Sequence, residues 1–384
     1  MSRESRQRLR EQAKRQAIHL ARRKKLFQAL SIIGIVLIAA GALAVIYFQS
    51  QKSKPAIAAQ TSTSKTPHSL AELLALSPAE LEHCDIARMN LLCAESLPGA
   101  EHLNVDEDLA MLDRWAEGIH SEAQRNYHHF REDPAYFYNS ENFYRMLMMA
   151  VVLYEDFHVR YNPKWMESPE TMRLDDGFGS DSSDILIHGL IGPQRLGTCS
   201  SMPVLYVALA RRLGYPVKLV TTKTHLFLRW DGPTERFNMD ATGKGLSEYS
   251  DAYYKQWPFP VTEAEMKEDG YLQSLTSAQE LSVFLTMRGL CLRQAGRLEE
   301  ALAAHAAAFK LEPYWRGNQY LLAEAKQALA TRQTQAQLEH EAEINQEFEQ
   351  VMAINRANRA RLGISAPPFV PDPTPHIPVP IIPR

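Results

Sequence analysis

One segment constrains this chain before any other. From Leu26 to Phe48 it reads LFQALSIIGIVLIAAGALAVIYF, without a single charge. Just over 20 apolar-dominated residues suffice to cross about 30 Å of hydrocarbon as a helix. Ten Lys and Arg precede the run within the first 25 residues, against Glu4 and Glu11, and only Lys52, Lys54 and Lys65 follow closely. The expectation is therefore a single-pass anchor in the cytoplasmic (inner) membrane, with the N-terminus in the cytoplasm and the main domain outside, periplasmic or extracellular. The competing reading is a cleaved signal, cut near Ala56-Ile57-Ala58. The run exceeds the usual apolar length of such signals.

Around this segment the sequence divides into a basic cytoplasmic stretch (1–25), the span (26–48) and a flexible linker (49–68). A main domain follows (69–275), then a helical segment (276–331), a polar helix (332–363) and a Pro-rich tail (364–384). Net charge is -3, so nothing global points to nucleic acid. Four cysteines, Cys84, Cys93, Cys199 and Cys291, are too few for a disulfide scaffold. Cys84 and Cys93 are expected on one helix, about 13 Å apart, beyond bonding reach. Ser77-Pro78 suits a helix N-cap followed by proline. Helical patterning runs through MLDRWAEGIHSEAQRNYH and NFYRMLMMAVVLYEDFHVRY. In DDGFGSDSSD (175–184) the acids do not fit calcium-loop spacing and read as turn and cap residues. His128-His129 lacks metal-site spacing, and GKG at 243–245 is no phosphate loop. No metal or organic cofactor is implied.

The stretch GTCSSMPVLYVALARRLGYP predicts a glycine-containing loop running into a helix from about Cys199 to Leu213. VKLVTTKT, HLFLRW and RFNMDAT follow as three strand-like runs joined by hairpin turns. A thiolate at a helix start is favoured by the dipole, and free backbone N–H groups there can stabilise an oxyanion. His225 falls at the start of the second strand and Asp240 in the third. A hairpin brings these strands together, and a carboxylate then fixes the imidazole and its tautomer. Asn238 shares the face of Asp240 and competes for that orienting role. Alone, each residue is ordinarily structural: a buried thiol, a core histidine, a capping acid. The combination is what points to thiol chemistry.

These three runs together, GTCSSMPVLYVALARRLGYPVKLV, THLFLRW and RFNMDATGKG, resemble the transglutaminase-like superfamily. The similarity is to a bacterial branch with a helical leader and C-terminal tetratricopeptide-like helices. It is strongest over 190–260 and extends over about 75–330. The resemblance implies an α+β fold with a papain-related core. It also implies a Cys199 nucleophile, a His225 base and an Asp240 acid. Gln194 becomes a candidate oxyanion donor, with a loop-capping role as the alternative. Gly289, Gly296, Ala301, Ala308 and Pro313, with Leu285, sit as in one tetratricopeptide repeat, although Leu292 and His305 fill two usually aromatic positions. The implied activity is thiol-dependent acyl transfer on a peptide or protein substrate outside the membrane, by peptidase, amidase or transferase chemistry. The competing expectation is a non-catalytic scaffold whose tetratricopeptide-like helices bind a partner protein. The tail carries eight prolines from Ala366 to Arg384 and reads as extended.

Overall fold

A computed structural model describes residues 66–166, 177–242 and 247–363. Helix accounts for about 61 % of it, and its sheets are small. This corrects the α+β expectation: the architecture is mainly helical, with one three-stranded and one two-stranded sheet. The reason lies in the lengths of the elements. The strand-forming runs are short, whereas the leader and the C-terminal third keep helical periodicity over long stretches. The membrane expectations are corrected as well, both the anchor with its cytoplasmic-membrane localisation and the inner membrane as a partner. Among the described residues no helix is long and apolar enough to cross a membrane. The segment Leu26–Phe48, like the linker up to residue 65 and the tail from 364, lies outside the described residues.

The leader opens with one-turn helices, Leu70–Leu74 and Pro78–Leu81, the second started by a Ser77–Glu80 capping box. Three longer helices follow: α1 (Ile86–Leu92), α2 (Val105–Arg125) and α3 (Glu141–Val151), capped by Asp85, Asn104 and Ser140. Cys84 and Cys93 flank α1 rather than sharing one helix, and all four cysteines are free. A turn ends helix Pro78–Leu81 before Cys84, because Asp85 caps the next helix instead.

A short parallel pair joins β1 (Arg160–Tyr161) to β2 (Leu196–Gly197), with Tyr161 opposite Gly197. Helix α4 (Met202–Arg212) then runs into β3 (Val217–Thr222), β4 (His225–Asp231) and β5 (Arg236–Met239), an antiparallel meander. Helix α4 is buried from Met202 to Ala210 and is the centre of the main core. One face of β4 supplies Leu226, Leu228 and Trp230 to that core. The other face carries His225, Phe227 and Arg229, because side chains alternate along a strand.

Helices α5 (Ser277–Gln294) and α6 (Leu298–Leu311) form an antiparallel hairpin, turned at Gly296 with φ +72°. Helix α7 (Arg316–Arg361) follows without a break across residue 332. The hairpin is tied into the preceding domain. Glu280, fully buried, takes two hydrogen bonds from Arg211 at 2.9 and 2.5 Å. Arg288 donates to the carbonyls of Cys93 and Glu95. A second apolar cluster joins Ala94, Leu97, Ile185 and Leu186 to Cys291, Leu292, Ala301 and Ala304.

Candidate active site

The loop that carries Cys199 is built from the residues just before α4. Thr198 Oγ1 and Ser201 Oγ both donate to the Asp184 carbonyl, at 2.8 and 3.2 Å. Ser201 Oγ also accepts from the Thr198 amide at 3.0 Å, and Thr198 Oγ1 from the Ser200 amide at 3.2 Å. This closed ring of bonds fixes a tight turn with Cys199 inside it. The helix proper begins at Met202, later than Cys199, because residues 199–201 form that turn. Gly197 is required here. A Cβ on it would stand 2.7 Å from Ser201 Oγ and from Leu190 Cδ2.

Asp184 does more than the turn and cap duty its sequence context suggests. Its carboxylate accepts from Trp165 Nε1 at 2.9 Å and Asn162 Nδ2 at 2.7 Å, while its carbonyl holds the Cys199 loop. One buried residue thus positions both the loop and an aromatic wall of the site. Asp181, its neighbour, caps the one-turn helix Ser182–Ile185.

His225 and Asp240 meet on the polar face of the sheet. The β4–β5 register sets Leu228 opposite Met239, so Asp240 lies across from Phe227 and diagonal to His225. His225 Nε2 and Asp240 Oδ2 are 2.8 Å apart, and both residues are buried, at 5 % and 4 % exposure. The same oxygen accepts from the Tyr254 hydroxyl at 3.0 Å, and Oδ1 accepts from the Thr242 amide at 2.8 Å and the Thr242 hydroxyl. Burial raises the Asp240 pKa, but these donors, His225 first, hold it below the usual value. Burial likewise opposes a charge on His225. The hydrogen bond to Asp240 and the neighbouring Cys199 thiol outweigh it and leave the ring more basic than usual. Nδ1 of His225 is buried without a hydrogen-bond partner, so it is the nitrogen left to serve the thiol.

Asn238 is engaged elsewhere. It sits opposite Arg229, accepts from Arg229 Nε at 2.6 Å, and donates to Asp251 Oδ1 and the Tyr249 carbonyl. Phe227 stacks on Tyr254 at 3.8 Å between ring centroids, at the β4 position between His225 and Arg229. Gln194 is exposed and does not line the cavity at Cys199.

That cavity, of about 180 Å³, is lined by Tyr161, Trp165, Met166, Cys199, His225, Thr242 and Trp257. Trp257 meets the His225 ring edge-on at 4.8 Å. Tyr161 is the residue that sequence reasoning missed. The β1–β2 pairing sets it two residues from the thiol, and its hydroxyl interacts with both the Cys199 amide and side chain. Burial and the thiol push the Tyr161 pKa up, so the hydroxyl keeps its proton and can donate. Only the pairing marks it. Nothing in NPKW or VRYN does. Tyr254 and Thr242, the other donors to Asp240, follow the third strand in sequence and were legible only as its continuation. Among the described residues no group of three His, Cys, Asp or Glu side chains could hold a metal ion.

The arrangement can thus present a half-buried thiol, an adjacent basic imidazole oriented by an ionised carboxylate, and a neutral hydroxyl donor, all opening on one aromatic-walled cavity. No protein-family model matches the chain, and no curated protein or solved structure is detectably similar to it.

Proposed function

We propose that this chain is a thiol-dependent acyl-transfer enzyme acting on a peptide or amide carbonyl, of the transglutaminase-like kind. The carrying observation is the buried 2.8 Å His225–Asp240 pair, whose ring shares one cavity with Cys199. In this reading Cys199 Sγ attacks the carbonyl carbon and forms a thioester after the tetrahedral stage. The amine leaves with the proton held by His225. Water or an acceptor amine then attacks the thioester, gives its proton to His225, and releases the thiol. Asp240 takes no proton; it orients the ring and stabilises the imidazolium. The Tyr161 hydroxyl, which keeps its proton, is the donor available to the oxyanion.

Apart from His225 and Cys199 themselves, the lining of Tyr161, Trp165, Met166, Thr242 and Trp257 carries no Asp, Glu, Lys or Arg, which favours an acyl group without a formal charge at the reacting end, such as a carboxamide or a backbone amide. The test is labelling of the full chain at neutral pH by an electrophilic acyl or amide-mimic probe, with Cys199→Ala and His225→Ala as controls. Labelling that needs both residues supports the enzyme. A thiol that reacts at the same rate with or without His225 favours the scaffold reading.

A further inference from the structure

Helix α7 changes character along its length. Up to Arg332 it has partners: Asn318 and Ala325 are buried, and Arg332 bonds the Gly296 carbonyl and Glu299. Residues 332–361, about 45 Å of helix, are exposed on every side. Yet this stretch is not uniformly polar. Ile344, Phe348, Val351 and Leu362, spaced by 4, 3 and 11, fall on one seam, with Met352 beside it, and are 38–73 % exposed. Such spacing is that of a coiled-coil stripe. Polar Glu341, Asn355 and Asn358 interrupt it.

The charges on this helix are segregated. From 339 to 349 there are five Glu and no Lys or Arg; from 350 to 363 there are three Arg and no Asp or Glu. One intrahelical pair, Arg356 with Glu349 at 3.7 Å, straddles the boundary. A parallel pairing of two such helices stacks acid on acid and base on base. An antiparallel pairing sets the acidic stretch of each against the basic stretch of the other, within the reach of unscreened charges.

We infer that residues 332–361 of α7 are a self-association element that pairs antiparallel with the same helix of a second copy of this chain. In the register that satisfies both stripe and charge, Phe348 packs opposite Val351 of the second copy, and Ile344 opposite Asn355. Glu339 and Glu341 then lie near Arg361 and Arg359. The stripe is short and interrupted, so the dimer is a weak one and reversible. Its consequence is to tether two sites through a helical stretch that is exposed beyond Arg332 and lies outside the core clusters of the described residues, which leaves each site unaltered.

The test uses the full chain. Chains carrying Ile344→Cys and chains carrying Asn355→Cys are oxidised separately and as a mixture, against the unsubstituted chain as background. The mixture should crosslink at least fivefold more than either alone, and raising salt should reduce that preference. Light scattering at roughly 100 µM, where even a ~10 µM dimer is largely assembled, should give the dimer mass, and Phe348→Asp the monomer mass. Because Phe348 is 59 % exposed and belongs to no core cluster of the described residues, the melting curve should not move. A monomer mass for the unsubstituted chain overturns the proposal, whether the Pro-rich tail, another protein or nothing covers the stripe. Preferential crosslinking of Ile344→Cys with itself overturns the antiparallel arrangement.

Discussion

Two buried imidazoles, one in the sheet and one in the C-terminal helical hairpin, have pKa values shifted in opposite directions. His225 lies beside the Asp240 carboxylate and the Cys199 thiol, and its pKa is raised. His305 lies between α5 and α6 with no acceptor at its buried Nδ1, and its pKa is lowered to about 4 by burial, with nearby Arg293 adding to the effect. Burial disfavours the charged ring in both places. What differs is the partner. A carboxylate held ionised by four donors reverses the sign at His225; a neighbouring glycine backbone at His305 offers only space. Indeed a Cβ on Gly289 would lie 2.5 Å from the His305 ring. The hairpin uses histidine as a packing group, and the sheet holds it as a basic ring against a carboxylate.

The largest expected effect comes from removing the feature that separates the two. Asp240→Ala takes the acceptor from His225 and also from Tyr254 and Thr242. Turnover on any amide or ester substrate should fall by about 10³–10⁴, as for loss of an orienting carboxylate. Stability should fall too, since each buried donor left unpaired costs about 1–3 kcal/mol. Asp240→Asn keeps much of the hydrogen bonding and separates the two losses: the urea midpoint recovers while turnover stays low. Equal activity in wild type and both variants would remove Asp240 from any catalytic role.

Glycine positions sharpen the contrast next. Gly197→Ala drives a methyl into Ser201 and Leu190, and Gly289→Ala drives one into His305. Each should destabilise by about 1–3 kcal/mol, the usual range for overpacking. Only Gly197→Ala should also slow alkylation of Cys199, because only that turn holds the thiol. Matched loss of thiol reactivity in Gly289→Ala would mean that the hairpin and the site are coupled.

Much of the site was legible because its elements are local. A helix start, a strand start and the next strand, in that order, are read directly from GTCSSMPVLYVALARRLGYP, HLFLRW and RFNMDAT. The choice between Asn238 and Asp240 was not legible, since both share a face. It is decided by register: Asn238 faces Arg229, which claims it, while Asp240 faces Phe227 and is free to reach diagonally to His225. Tyr161 and Asp184 were illegible as site residues because they arrive by tertiary pairing, Tyr161 through β1–β2 and Asp184 through its bonds to Trp165 and the Cys199 loop. Fold class was misjudged for a related reason. Three good strands in a row suggest a substantial sheet, but nothing in the pattern says how few further strands join them. Histidine at a usually aromatic repeat position looked like a defect, and the close approach of Gly289 explains why an imidazole fits there.

The pH dependence of stability should carry both signatures. At His305 the folded pKa of about 4 lies below the unfolded value near 6.5. As pH falls through that window the unfolded chain takes up a proton that the folded chain refuses, so stability drops, by about 2 kcal/mol near pH 4.5. His305→Leu should flatten this acid limb of the urea midpoint. At His225 the sign is reversed. Its folded pKa is raised, so its contribution is complete below the unfolded value and is lost as pH rises from there through the folded one. His225→Gln should therefore flatten the alkaline limb, and it should also shrink the part of the acid limb that comes from Asp240, whose pKa His225 helps to hold down.

The smallest effect is expected at the turn that introduces His225. The hairpin between β3 and β4 pairs Thr222 with His225, leaving a two-residue loop of Lys223 and Thr224. Thr224 has φ +61°, a left-handed conformation that is unfavourable for a β-branched residue by about 1–2 kcal/mol. Glycine relieves that strain, but it also gives the unfolded chain more freedom, worth about 0.4–1 kcal/mol in the other direction. The difference predicts a gain of about 0.5 kcal/mol for Thr224→Gly in urea unfolding. Activity should change less than about twofold, because the ladder bonds to β3 and the Asp240 contact hold His225 independently of the turn residue. The counterpart in the helical hairpin is Gly296, where φ is +72° and glycine is already present. Gly296→Thr should destabilise by about 0.5 kcal/mol, the same strain less the same unfolded-chain term, entered from the opposite side. If Thr224→Gly instead lowers activity tenfold while raising stability, the strained turn is what aims the imidazole at Cys199, and the base would then depend on its loop rather than on its strand.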